Sequence, residues 1–194
     1  MGAALFLVLA GCGRTDDDRA TSRPAASETA PVAEGPAEYV FSVDQDLLEE
    51  PTALPTGIII QPPVGWQLFE RDTEVFRQFE PSETNGFRLE LVAVSDAGAA
   101  LTAGYYEGEI PPQDLTRGVT DDPENLDVFR SNGIVFHQAR LVTEQALVFL
   151  LATDGSGASP SGTSVIQFTI AAGAVNEPLM RQVESAIGSI RRHE

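Results

Sequence analysis

The chain has 194 residues, 12 basic and 29 acidic side chains, and a formal net charge of -17. An acidic excess of that size repels phosphate backbones, so nucleic-acid binding has no electrostatic footprint here. A single cysteine permits neither an internal disulfide nor a Cys-rich zinc site. All 12 basic residues are Arg, which removes Schiff-base and P-loop lysine chemistry.

Residues Ala3 to Gly11 form one apolar run, too short for a hydrocarbon core that needs about 20 residues. It reads as the h-region of a signal peptide spanning residues 1 to 11, although no Arg or Lys precedes it. The run ends in Leu9-Ala10-Gly11-Cys12: a branched apolar residue, two small residues, then the lone cysteine. This resembles the lipobox of bacterial lipoproteins. The resemblance implies cleavage between Gly11 and Cys12, with the Cys12 thiol carrying diacylglycerol. The competing reading makes Cys12 a small apolar residue of an ordinary segment. Gly13 in place of Asp implies, by the same resemblance, delivery to the periplasmic face of the outer membrane in a diderm cell.

The segment 12–37 is rich in Ala, Pro, Thr, Ser, Asp and Glu and has no aromatic. It cannot bury enough apolar area to offset its chain entropy, so a disordered tether is expected. As a flexible coil it would reach roughly 25 to 30 Å. The remainder, 38–194, is long enough for one domain with a sizeable core.

Within that domain Ile58-Ile59-Ile60, between Gly57 and Pro62, predicts a short buried strand, with Trp66 to Arg71 continuing it after a turn. Val75 to Glu80 and Phe87 to Ser95 predict a hairpin whose loop ends in Asn85-Gly86. Asp96 to Pro123 is weakly patterned; short helices are expected after an Asp96 cap and near Gln113 to Val119. Leu126 to Ser131 and Ile134 to Thr143 flank Asn132-Gly133, which suits a type I′ turn. The run Ala146 to Ala152 predicts a central strand covered on both faces. After a Gly/Ser-rich loop, Asp154 to Gly162, comes another strand, Ser164 to Ala172. Asn176 should cap a final helix carrying Leu179, Val183, Ala186, Ile187 and Ile190 on one side, with Arg191 and Arg192 at its carboxyl end.

The fold expected is therefore α+β, an antiparallel sheet with helices packed on it. The opening strand into Pro62-Pro63-Val64-Gly65-Trp66, the Asn132-Gly133-Ile134 hairpin followed by two long strands, and the closing helix ending Ala186-Ile187-Gly188-Ser189-Ile190-Arg191 resemble the PsbP-like α/β/α sandwich. That sandwich is also found in DcrB-like and LpqN-like lipoproteins. The resemblance covers most of Ile58 to Arg192 and brings no catalytic residue with it.

Candidate chemistry is sparse. His193 is penultimate, and His137 shares a strand face with Val135, Ala139 and Leu141, which suits a half-buried packing residue better than a base or ligand. Ser159 and Ser161 miss the nucleophile-elbow spacing, and Pro160 would remove an N–H. The acids Asp44, Asp46, Glu49, Glu50 and Asp121, Asp122, Glu124, Asp127 lack the order of a calcium loop and suit helix caps or a solvated face. Trp66, Tyr105 and Tyr106 are the interface candidates, with Trp66 better suited to a core anchor and the Tyr pair the better interface candidate. No cofactor or metal is expected. The chain thus reads as a lipid-anchored, cell-envelope binding or assembly module. It would hold the membrane through acyl chains on Cys12 and would engage an envelope protein, with no nucleic acid. A carboxylate-dependent hydrolase and a carrier of small hydrophobic ligands are the rival classes.

Overall fold

A computed structural model of the chain describes residues 35–81, 86–108, 110–154 and 162–193. Cys12, its apolar run and the Ser159–Ser161 loop lie outside the described residues. The described elements, in order, are β1 (Ala37–Glu38), β2 (Thr52–Ala53), β3 (Ile58–Ile60), β4 (Gln67–Leu68), α1 (Glu74–Gln78), β5 (Phe87–Ser95), β6 (Ala99–Glu107), α2 (Pro112–Arg117), β7 (Leu126–Ser131), β8 (Ile134–Val142), β9 (Ala146–Asp154), β10 (Gly162–Ala171), α3 (Glu177–Gly188) and β11 (Arg191–Arg192). Short 3-10 turns occupy Gln45–Leu47, Pro123–Asn125 and Ala172–Ala174. The result is mixed α and β, dominated by sheet with a few helices.

Eight strands pair in the order β1-β7-β8-β9-β10-β6-β5-β4, and three more in the order β11-β3-β2. Pairing is antiparallel throughout except where β1 runs parallel to β7. β1 opens the described fold at Ala37, the last residue of the expected tether.

Local chemistry explains most turns. Asn132 and Gly133 have φ of 49° and 73°, the two positive values a type I′ turn demands. The β2–β3 turn places Pro55 and Thr56 in its centre, Gly57 donating to Leu54 O at 3.0 Å with φ 77°. Val64-Gly65 forms another tight turn, Trp66 N–H donating to Pro63 O at 3.2 Å and Gly65 at φ 78°.

Several expectations are corrected. Val75 to Glu80 is not a strand: most of it forms α1, because Thr73 Oγ1 accepts the Phe76 N–H at 3.2 Å and so caps a helical turn. Asp96 caps no helix. It lies in the tight loop between β5 and β6, which Gly98 closes at φ 87° by donating to Ser95 O at 3.0 Å. Ala99–Glu107, within the weakly patterned stretch where no strand is expected, is a nine-residue strand inside the large sheet. Finally, Arg191 and Arg192 do not extend the last helix. Ser189 ends it, with its hydroxyl donating to Ala186 O at 2.7 Å, and the two arginines pair antiparallel with Ile59 and Ile58.

The main core joins Leu101, Phe136, Leu147, Leu151, Ile166 and Phe168 to Leu179, Val183, Ala186 and Ile187 of α3. Alternate residues of the same strands take the other side of the pleat. There Leu150, Ala152 and Val165 meet Leu115 of α2, and Leu89 and Val92 meet Phe76 of α1. β9 therefore buries both faces, as its unbroken apolar run requires.

Candidate functional site

The three aromatic candidates separate. Trp66 is 4% exposed and belongs to the main core. Its indole Nε1 donates to Gln182 Oε1 at 3.2 Å, and Gln182 Nε2 reaches back to Val64 O at 3.3 Å. The ring thereby ties the Val64-Gly65 turn to α3 and has no area left for a partner. Tyr105 and Tyr106 are adjacent on β6, so the pleat sends their rings to opposite faces. Tyr105 is 6% exposed, on the same strand face as Ala103 of the main core. Tyr106 is half-buried against Phe87, ring centroids 5.0 Å apart, on the α2 side. Burial pushes its phenol above the ordinary range. Neither Trp66 nor Tyr105 supplies exposed interface area, and Tyr106 supplies a little.

The exposed apolar pair is elsewhere. Tyr39 is 55% and Val40 86% exposed, directly after β1. Tyr39 is tied to β7: its N–H donates to Arg130 O at 2.7 Å. An aromatic ladder then runs from Tyr39 to Phe41 (4.5 Å), Phe41 to Phe129 (5.7 Å) and Phe129 to Phe136 (5.4 Å), ending in the core. Gly188 makes room for this arrangement, because a Cβ there would sit 2.7 Å from Phe41 Cβ and 2.6 Å from Val43 Cγ2. An anchored, exposed Tyr followed by an exposed Val is a ready contact for another surface. Tyr39 and Val40 are not among the residues that the sequence singles out. The usable signal is the alternation of Tyr39, Phe41 and Val43 just before the Asp44 cap.

The acidic clusters serve local structure. Asp44 accepts the Asp46 N–H at 3.2 Å and pairs with Arg181 at 3.5 Å. Glu49 accepts the Gly65 N–H at 3.2 Å. Asp122 receives the Glu124 N–H at 3.0 Å and the Asn125 amide at 2.9 Å, and Asp127 receives the Val128 N–H at 2.8 Å. Among the described residues no three His, Cys, Asp or Glu side chains converge as a metal set. His137 is half-buried on β8, opposite Val128 and Ala152. His193 donates its N–H to Gly57 O at 2.7 Å. Among the described residues no helix is long and apolar enough to cross a membrane.

No family model matches the chain, and no curated protein matches it. Among solved structures it is similar to a crystal structure from Bacteroides thetaiotaomicron VPI-5482, with a TM-score of 0.45 and 9% identity. That likeness covers 75% of this chain and 48% of the other, so the chain spans about half the length of that protein.

Proposed function

We propose that the protein is a lipid-anchored lipoprotein of the bacterial cell envelope whose domain is a PsbP-like binding or assembly module. The observation that carries the anchor is the placement of the lone Cys12 directly after Leu9-Ala10-Gly11, at the end of a short apolar run and ahead of a polar tract. What supports a PsbP-like arrangement is the division of β9: Leu147 and Leu151 pack toward α3, Leu150 and Ala152 toward α2. What supports a binding role is the exposed Tyr39–Val40 pair at the root of the tether, anchored through Tyr39. A partner there would bury an aromatic and a β-branched side chain while the acyl chains keep the domain near the membrane.

Metabolic labelling with a fatty-acid analogue tests the anchor. Label should enter the wild-type chain and be lost in Cys12→Ala; label retained by Cys12→Ala would overturn it. Affinity capture from membranes, with the anchored protein as bait, tests the module. A stoichiometric partner recovered by wild type and lost with Val40→Asp is expected, and recovery of none counts against the assembly role.

A further inference from the structure

We propose that Asn132 is a deamidation site gated by the docking of α3, and that its conversion to an acid releases the carboxyl end of that helix. Asn132-Gly133 is a susceptible dipeptide because glycine leaves its backbone nitrogen unshielded. That nitrogen attacks Cγ of Asn132, forming an N–Cγ bond as the Cγ–Nδ2 bond breaks. Ammonia leaves, taking up the proton lost from Gly133 N–H. Water then opens the cyclic imide at either carbonyl, giving aspartate or isoaspartate. Water is the only co-reactant.

The folded protein opposes the first step twice. Asn132 is held in the left-handed region at φ 49° by the hairpin. Its leaving group is also occupied: Nδ2 donates to Gly188 O at 2.9 Å and to Ile190 O at 2.8 Å. To reach the Gly133 nitrogen, Cγ must swing away from α3 and break both bonds. Gly188 is the last residue of α3, where helix carbonyls lack intrahelical partners, and Ile190 follows just past the Ser189 cap. Opening the latch and exposing Asn132 to attack are therefore one event.

The product cannot close the latch again. A carboxylate has no hydrogen to donate, and its charge would face the Gly188 carbonyl at the negative end of the helix dipole and the Ile190 carbonyl just beyond it. Isoaspartate adds a backbone atom to a two-residue turn that fixes the register of β7 against β8. A molecule that has opened long enough to react is permanently marked and loosened.

The test incubates the folded full chain, the full chain in urea, and a synthetic peptide covering Phe129 to Phe136 at mildly alkaline pH. Conversion at Asn132 is followed by peptide mass spectrometry with isoaspartate detection. The folded chain should react about tenfold or more slowly than the peptide, by the opening equilibrium of the latch, and the urea sample at the peptide rate. Equal rates in the folded chain and the peptide would overturn the gating. Thermal unfolding of Asn132→Gly and Asn132→Asp tests the release, since Gly keeps the turn and removes both hydrogen bonds. The expected order of midpoints is wild type, then Asn132→Gly, then Asn132→Asp. An Asn132→Asp midpoint equal to that of wild type would overturn the release. If that variant does not accumulate, aged wild-type chain separated by ion exchange into amide and acid forms gives the same comparison.

Discussion

The hydroxyls of Thr56 and Ser164 share a buried hydrogen bond of 2.6 Å across 108 residues of sequence. Thr56 sits in the β2–β3 turn and Ser164 in β10, so this one bond ties the small sheet to the middle of the large one. Removing one partner strands the other in the core, which costs about 1 to 3 kcal/mol. Thr56→Val and Ser164→Ala should each destabilise by that amount in urea unfolding. The double substitution should cost less than their sum, because it leaves no orphan hydroxyl.

Gly104 faces the irregularity in β5 between Leu89 and Leu91. A Cβ there would meet Arg88 O at 2.2 Å and Phe87 Cζ at 2.7 Å. The first of these is backbone and cannot swing aside. Gly104→Ala should therefore lose about 3 kcal/mol or fail to fold. Gly173→Ala, where nothing lies within 4 Å, is the control; it should be neutral or gain up to about 1 kcal/mol through a stiffer unfolded chain. Denaturation midpoints of the pair give the comparison.

Asn176 Oδ1 accepts the Leu179 N–H at 3.0 Å and so caps α3, whose apolar side closes the main core. Asn176→Ala should cost about 1 kcal/mol. Asn176→Asp keeps the acceptor and adds charge at the positive end of the helix dipole but gives up the exposed Nδ2 donation to Ala174 O at 3.0 Å, so it should fall above Asn176→Ala and near wild type in thermal unfolding.

The Tyr106 phenol is raised by burial above its ordinary value of about 10. The folded state then holds the proton more tightly than the unfolded chain does. That contribution is complete below about pH 10 and is lost as pH rises through the folded value. Tyr106→Phe should flatten the fall in stability above pH 10, measured against wild type in a urea series. A phenolate absorbance titration should lose a late-ionising component in Tyr106→Phe.

Elements governed by neighbours in sequence are legible from the residues alone. Asn132-Gly133 and the flanking strands, the Asn176 cap and the β9 run all follow from turn chemistry, capping and burial. Val75 to Glu80 is ambiguous in sequence because its apolar residues fit a short strand as well as a helical turn; the Thr73 cap decides for the helix. Ala99–Glu107 carries little strand signal because Ala and Gly occupy four of its nine positions. Small residues give weak periodicity, and this strand exists because β5 and β10 supply hydrogen bonds on both edges.

The same division holds for the candidate site. Composition and spacing alone settle the charge balance, the absence of lysine and the position of the single cysteine, since none of these depends on folding. Exposure does depend on it. Trp66, Tyr105 and Tyr106 are equivalent as residue types, yet packing against α3 buries the first and the pleat of β6 turns the other two apart. Tyr39 and Val40 emerge exposed just after β1, whose pairing with β7 sets Tyr39 beside Phe129, a residue 90 positions later. Which apolar side chain faces water is set by contacts between distant segments; the Tyr39, Phe41, Val43 alternation marks a shared strand face but not which way that face turns.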